Sequence, residues 1–273
     1  MSAANESSQI TTPKYTDEPV VWIHHWNPGL MSFRIRRDPA YRFIPGLFAR
    51  IGLTKEDGEM IWRAYSIVSA PNEPFLEFFL VVVPDGEFSS RVAKLQIGDL
   101  IHVEKMSQGF LTTNRFKDGR DLWLIATGTG MAPYISMVRD SVVWTQFKNI
   151  IVVQSVRQLQ DLAYTDELDQ LARHRRQDAV SGYAKLTFVR TLTREPATST
   201  NPLALTLHGR VTTLTESGEL ERGAALPMTD EHSRFMLCGN PEMVEAMRAL
   251  LKARGFRMNR RLEPGHIIVE NYW

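Results

Sequence analysis

The sequence predicts two domains in one chain: an N-terminal antiparallel β-sandwich or small β-barrel over residues 16–118 and a C-terminal α/β parallel-sheet domain over residues 119–273, after a loose arm at residues 1–15. Three observations carry this. At 273 residues the chain can bury more than one core. From Val20 to about Met106 short strands follow one another with turns and no long helical period between them, which favours an antiparallel sandwich or small barrel. From Asp121 onward strands alternate with helices, the rhythm of a parallel sheet covered on both faces.

Each element has a local reason. Phe33-Arg34-Ile35-Arg36 alternates apolar and polar residues, Leu47 to Leu53 does so less cleanly, and Leu76 to Val83 is an apolar run closed by Pro84-Asp85-Gly86. Lys117-Asp118-Gly119-Arg120 is polar and turn-like, and the domain boundary is set there. Leu122 to Ala126 is a buried strand, and Pro133 opens a helix carrying Ile135, Val138 and Val142, because a first helical turn tolerates a missing N–H. Ile150 to Val153, Leu186 to Val189 and Phe235 to Leu237 are the further strands, with a helix near Thr165–Arg176 between the first two of these. Asn240 caps a last helix with Pro241 at its first position, Val244, Met247 and Leu251 on one face, and Gly255 ending it.

Composition narrows the function. The formal net charge of +1, from 32 basic and 31 acidic residues, gives no polyelectrolyte character that would argue for nucleic acid. Local basic runs exist: Arg34/Arg36/Arg37 and Arg173/Arg175/Arg176 read as solvated surface, and Arg254/Arg257/Arg260/Arg261 is open to an acidic partner. A lone cysteine, Cys238, excludes an internal disulfide and a plant-type iron–sulfur cluster, so single electrons, if moved, go to a separate protein. The polar start does not read as a signal peptide, and no apolar stretch approaches the roughly 20 residues that cross a bilayer. The expectation is a cytoplasmic protein without membrane attachment, as a monomer.

Six residue groups are candidates for carrying chemistry. Arg63-Ala64-Tyr65-Ser66 offers a cation, an aromatic face and a hydroxyl at a strand end, which suits a flavin diphosphate, although without context it is merely a Tyr-containing strand. Gly86-Glu87-Phe88-Ser89, after the strand that ends near Val83, has the form of a second phosphate loop. Thr127-Gly128-Thr129-Gly130 is a glycine turn from strand into helix, suited to a dinucleotide, but Pro133 stands where the third glycine of a GxGxxG fingerprint would be. In an open parallel sheet ligands bind beyond the carboxyl ends of the strands, and those ends carry Thr127–Gly130, Arg157, Arg194 and Cys238. Arg157 and Arg194, with Arg210 beside Gly209, suit the 2′-phosphate of NADP; singly, each reads as an exposed loop arginine. Cys238 reads either as a small inert core residue or as a contact of the nicotinamide, with no neighbouring His or Lys to make it a reactive thiolate. Tyr272 and Trp273, two large aromatics at the chain end, read as docked into core or against a planar cofactor.

These residues, in this order, resemble the bacterial ferredoxin (flavodoxin)–NADP reductases from about Val20 to Trp273. The matching features are Arg63-Ala64-Tyr65-Ser66, Val83-Pro84-Asp85-Gly86 with Ser89, Ala126 to Gly130, Cys238 to Val244, and Pro264-Gly265-His266 through Tyr272-Trp273. The resemblance implies an FAD-binding barrel and an NADP-binding α/β domain. It implies that Arg63, Tyr65 and Ser66 hold FAD with Val83, Gly86 and Ser89 nearby, that Thr127–Gly130 lies by the NADP pyrophosphate, and that Arg157, Arg194 and Arg210 grip its 2′-phosphate. It also implies that Cys238 and Gly239 lie near the nicotinamide and that the aromatic tail covers part of the FAD. The implied reaction passes a hydride from NADPH to FAD and single electrons to ferredoxin or flavodoxin, with Ser66, Tyr65 and Cys238 about the reacting atoms. The alternatives are a free flavin reductase or oxygenase reductase of the same fold, and a non-catalytic nucleotide-binding regulator. Chloroplast-type relatives end in a single tyrosine, whereas this chain ends Tyr272-Trp273.

Overall fold

The computed structural model describes residues 14–178, 184–195 and 205–271. The first half builds β1 (Tyr15–Asn27), β2 (Leu30–Arg36), β3 (Phe48–Thr54), β4 (Met60–Ser66), β5 (Phe75–Val81), the single turn α1 (Ser89–Val92) and β6 (Leu100–Glu104). These strands pair antiparallel in the order β4-β3-β6-β1-β2-β5. The two outer strands then meet just past the end of β4, where Ile67 bridges Phe78 and the Val68 amide donates to the Glu77 carbonyl at 2.9 Å. That contact curls the sheet into a barrel joined at this one point, while the rest of β4 and the end of β5 stay apart and line a cleft. The first strand starts at Tyr15, earlier than Val20, because its opening residues pair with β6 through Tyr15 opposite Glu104.

The apolar run in β5 is explained by burial on both faces. Leu76, Phe78 and Leu80 fill the barrel with Phe33, Ile35 and Ile51, whereas Phe79 packs into the core of the second domain.

The second half alternates as expected: β7 (Asp121–Thr127), α2 (Ala132–Arg139), α3 (Val142–Gln146), β8 (Asn149–Val156), α4 (Thr165–Asp178), β9 (Lys185–Leu192), β10 (Thr206–His208), α5 (Val211–Glu216), α6 (Glu219–Ala224), β11 (Ser233–Gly239), α7 (Pro241–Ala253) and β12 (Ile267–Asn271). Among the described residues six strands pair, all parallel, in the order β10-β9-β8-β7-β11-β12. Alternate side chains of β7 feed two cores: Leu122, Leu124 and Ala126 face α2 to α4, while Trp123 and Ile125 face α5 to α7. The chain order steps outward from β7 to β10 on one side and resumes at β11 on the other, which makes the gap between β7 and β11 a topological switch point.

Three expectations are corrected. The helix begun at Pro133 does not reach Val142: it stops at Arg139, Asp140 turns extended, and Val142 opens a separate short helix with its side chain exposed. The sheet has two strands, β10 and β12, beyond the four foreseen. The helices α5 and α6 were also unforeseen; their turn at Gly218 takes a φ of +74°.

Candidate functional site

The barrel end formed by β4 and β5 faces the carboxyl edge of the parallel sheet at its switch point, and a cleft of about 530 Å3 lies between them. From the barrel come Arg63, Tyr65 and Ser66, and beyond β5 Val83, Gly86 and Ser89. From the second domain come Thr129, Ala132, Glu270 and Asn271. The last two, with Phe48, Phe79, Leu80, Val81 and Ala132, are lining residues that sequence reasoning did not assign to the site. Glu270 had one available signal: it ends the apolar stretch Ile267 to Val269, so its carboxyl stands at a strand's carboxyl end.

Ser66 ends β4, so Arg63, Tyr65 and Ser66 all reach the same cleft despite the alternation of a strand. The Ser66 hydroxyl is buried with no hydrogen-bond partner among the described residues. Such an orphan is costly unless a ligand completes it, and this is the observation on which a cofactor fits the cleft. Tyr65 presents its ring beside Phe88, with centroids 5.8 Å apart. Burial pushes its hydroxyl up to about 12, the nearby Arg63 charge opposing, so Tyr65 stays protonated. Arg63 is exposed, donates from Nη1 to the Trp62 carbonyl at 2.8 Å and has Glu87 at 3.8 Å. The loop after β5 is held tight: the Ser89 hydroxyl accepts from the Val83 amide at 3.1 Å, and a Cβ on Gly86 would come within 2.7 Å of that hydroxyl.

At the switch point two chain turns interlock. Gly128 takes a φ of +53° in a 3-10 turn, residues Gly128–Met131, which precedes the helix. A Cβ on Gly130 would fall 2.6 Å from the Cys238 carbonyl oxygen, and one on Gly239 would fall 2.2 Å from Thr127 Oγ1. The two chain turns therefore pack closely where β7 and β11 end, and only glycine fits at either contact. Cys238 is wholly buried on the α2 side with Ala126, Met131 and Tyr134; its register neighbour on β12, Glu270, is the residue that reaches the cleft.

Arg157, Arg194 and Arg210 come together at the carboxyl ends of β8, β9 and β10. The Arg194 amide donates to the Arg157 carbonyl at 2.9 Å, and Gly209 donates to the Leu192 carbonyl at 2.9 Å. All three side chains are exposed, and none forms a salt bridge with another described residue. They stand up to three strand steps, about 14 Å, from the glycine turn. Tyr272 and Trp273 lie outside the described residues.

Comparison with known proteins agrees with this division. The family model described as an oxidoreductase FAD-binding domain matches residues 25–110, and that of an oxidoreductase NAD-binding domain matches residues 124–249. The chain is 40% identical over 263 residues to ferredoxin–NADP reductase A of Sorangium cellulosum, covering 94% of this chain and 90% of the relative. It is 38% identical to the flavodoxin/ferredoxin–NADP reductase of Shigella flexneri, covering 93% and 97%. The crystal structure of a ferredoxin NADP+ reductase from Neisseria gonorrhoeae with bound FAD and NADP superposes with a TM-score of 0.86 at 36% identity, over 95% of this chain and 99% of that one. Barrel, switch-point sheet and near full-length identity together place this chain in the ferredoxin–NADP reductase family.

Proposed function

We propose that this chain is a flavoenzyme that moves electrons between NADPH and ferredoxin or flavodoxin through FAD held in the cleft. The observation that carries it is the orphaned Ser66 hydroxyl, buried where the barrel opens onto the switch point. Bound there, FAD supplies the conversion between a two-electron hydride donor and one-electron protein acceptors. Ser66 offers its hydroxyl to a ring nitrogen, Tyr65 offers its face to the ring, and Arg63 with the Val83–Ser89 loop holds the diphosphate. Thr127–Gly130 brings backbone amides to the NADPH pyrophosphate, and Gly239 lets the nicotinamide end lie against the sheet edge. Arg157, Arg194 and Arg210 select the 2′-phosphate by charge-assisted bonds. Cys238 bounds the nicotinamide end from within the core, and neither it nor Tyr65 gains or loses a proton in this scheme. The partner contact is small and transient, and the chain acts as a cytoplasmic monomer.

The test is stopped-flow reduction of the FAD-loaded protein by NADPH and by NADH, in wild type and Arg194→Ala. Wild type should prefer NADPH, and the variant should lose most of that preference through a raised KM for NADPH. Equal reduction of wild type by both coenzymes overturns the phosphate assignment, and no bleaching with either leaves a regulator. Turnover with ferredoxin and flavodoxin above that with free FMN separates the protein-reductase reading from that of a free flavin reductase.

A further inference from the structure

Of the side chains on β5, Glu77 alone is charged, and its carboxylate is wholly buried. A carboxylate taken out of water persists only with donors around it. Glu77 has three, from two domains. Arg34 of β2 donates from Nε to Oε2 at 2.9 Å, Arg139 of α2 donates from Nη1 to Oε2 at 3.0 Å, and the Tyr164 hydroxyl, ahead of α4, donates to Oε1 at 2.8 Å. Arg139 continues outward: its Nε and Nη2 fork onto Glu167 of α4 at 2.7 and 2.8 Å. Burial disfavours charge on Arg139, but the bonds to Glu167 and the charge of Glu77 outweigh it and hold the guanidinium protonated.

Tyr164 is held at a cost. Its φ of +58° lies in the left-handed region, unusual for a bulky residue, and such strain persists where the surroundings over-determine it. The surroundings here are Ser32, whose Oγ is 2.7 Å from the Tyr164 hydroxyl, and the rings of Trp26 and Phe79 at 4.7 and 5.3 Å. Ser32 and Trp26 belong to the barrel.

This network joins the two walls of the cleft. Glu77 shares a strand face with Phe79, which lines the cleft from the barrel. Arg139 ends the helix that begins at Ala132, which lines the cleft from the second domain. A buried ion pair thus ties one rigid wall to the other, through a helix of about 12 Å. We propose that Glu77, Arg139 and Tyr164 are positioning residues that set the spacing of the two cleft walls, and so govern the rate of hydride transfer rather than the affinity for either cofactor. The proposal rests on the function given above. A displacement of about 1 Å in such a step can cost up to a hundredfold in rate.

The experiment compares FAD-loaded wild type, Tyr164→Phe, Arg139→Lys, the double variant, and Arg36→Gln, which breaks a pair with Glu18 inside the barrel alone. Four quantities are read: FAD content, KM for NADPH, the stopped-flow rate per bound flavin, and the long-wavelength absorbance of nicotinamide stacked on the flavin. Both single variants should retain FAD and a KM within twofold, lose about tenfold in rate, and show a weakened stacking band. Because both act through Glu77, the double variant should lose little more than the worse single one. Arg36→Gln should match wild type. Rates per bound flavin within twofold of wild type overturn the proposal, as does a loss seen only in FAD content. If wild type itself is not reduced by NADPH, the functional reading falls first.

Discussion

Ser66 shows what a single residue of this site must do. Its hydroxyl is buried and unpartnered within the described protein, so it is a liability in the flavin-free chain and an asset once a ring nitrogen meets it. Ser66→Ala should therefore leave the melting temperature of flavin-free protein equal or higher, while slowing flavin reduction by NADPH about fivefold, the loss of one hydrogen bond worth about 1 kcal/mol. Calorimetry on stripped protein and stopped-flow on loaded protein read the two halves; a lower melting temperature with an unchanged rate would refute the assignment. Much of the site at this scale was legible. Arg63-Ala64-Tyr65-Ser66 announces itself because cation, ring and hydroxyl sit within four residues, and Thr127–Gly130 because two glycines stand between strand and helix. Glu77 was not legible: one charge in an apolar run reads as a strand's solvent face, and only the packing of the second domain over that face turns it into a buried anion.

At the scale of elements, turns decide the geometry. Asn240 accepts from the Glu242 and Met243 amides at 2.8 and 3.3 Å, and its own amide donates to Thr127 Oγ1 at 2.8 Å, so one residue caps α7 and ties it to the end of β7. Asn240→Ala should cost about 1 kcal/mol in denaturant unfolding, as N-cap removals do. That cap was foreseen from the Asn-Pro pair, whereas β10 and β12 were not. The first is three residues long, and the second follows a loop whose residues Arg257 to His266 carry no helix or strand period. Its entry is fixed by His266, whose Nδ1 accepts from the Arg257 amide at 3.1 Å. Burial, then the charges of Arg234 and Arg257, depress the imidazole below its ordinary value of 6.5. The unfolded chain thus takes up the proton more readily than the folded one, so stability is fully present above that ordinary value and is lost as pH falls through the depressed one. Between about pH 7.5 and about pH 5.5 the melting temperature should fall more in wild type than in His266→Asn. An equal fall in both would show that this ring does not contribute.

The whole molecule is two cores joined at a polar seam. Arg139 and Tyr164 reach Glu77, Ser136 donates to the Ser69 carbonyl at 2.7 Å, and Asn27 donates to the Gln160 carbonyl at 3.0 Å. With Phe79 packed into the neighbouring core, the domains should unfold together, and scanning calorimetry of the FAD-loaded protein should give one transition. Two well-separated peaks would show that the seam does not couple them. The change from an antiparallel sheet to a parallel sheet was readable from the change of rhythm near residue 120, but the seam was not, because its partners lie 62 and 87 residues apart in sequence and no local pattern joins them.

Among the described residues the parallel sheet ends in two rims, β10 and β12, and the start of β12 is covered. The described part of β10 is three residues long, and on the far side Ile267 of β12 is already engaged by the Arg257 carbonyl and the Asn259 amide. That cover takes up the outward-facing backbone groups at the start of the β12 rim, where a second molecule would otherwise begin to add a strand.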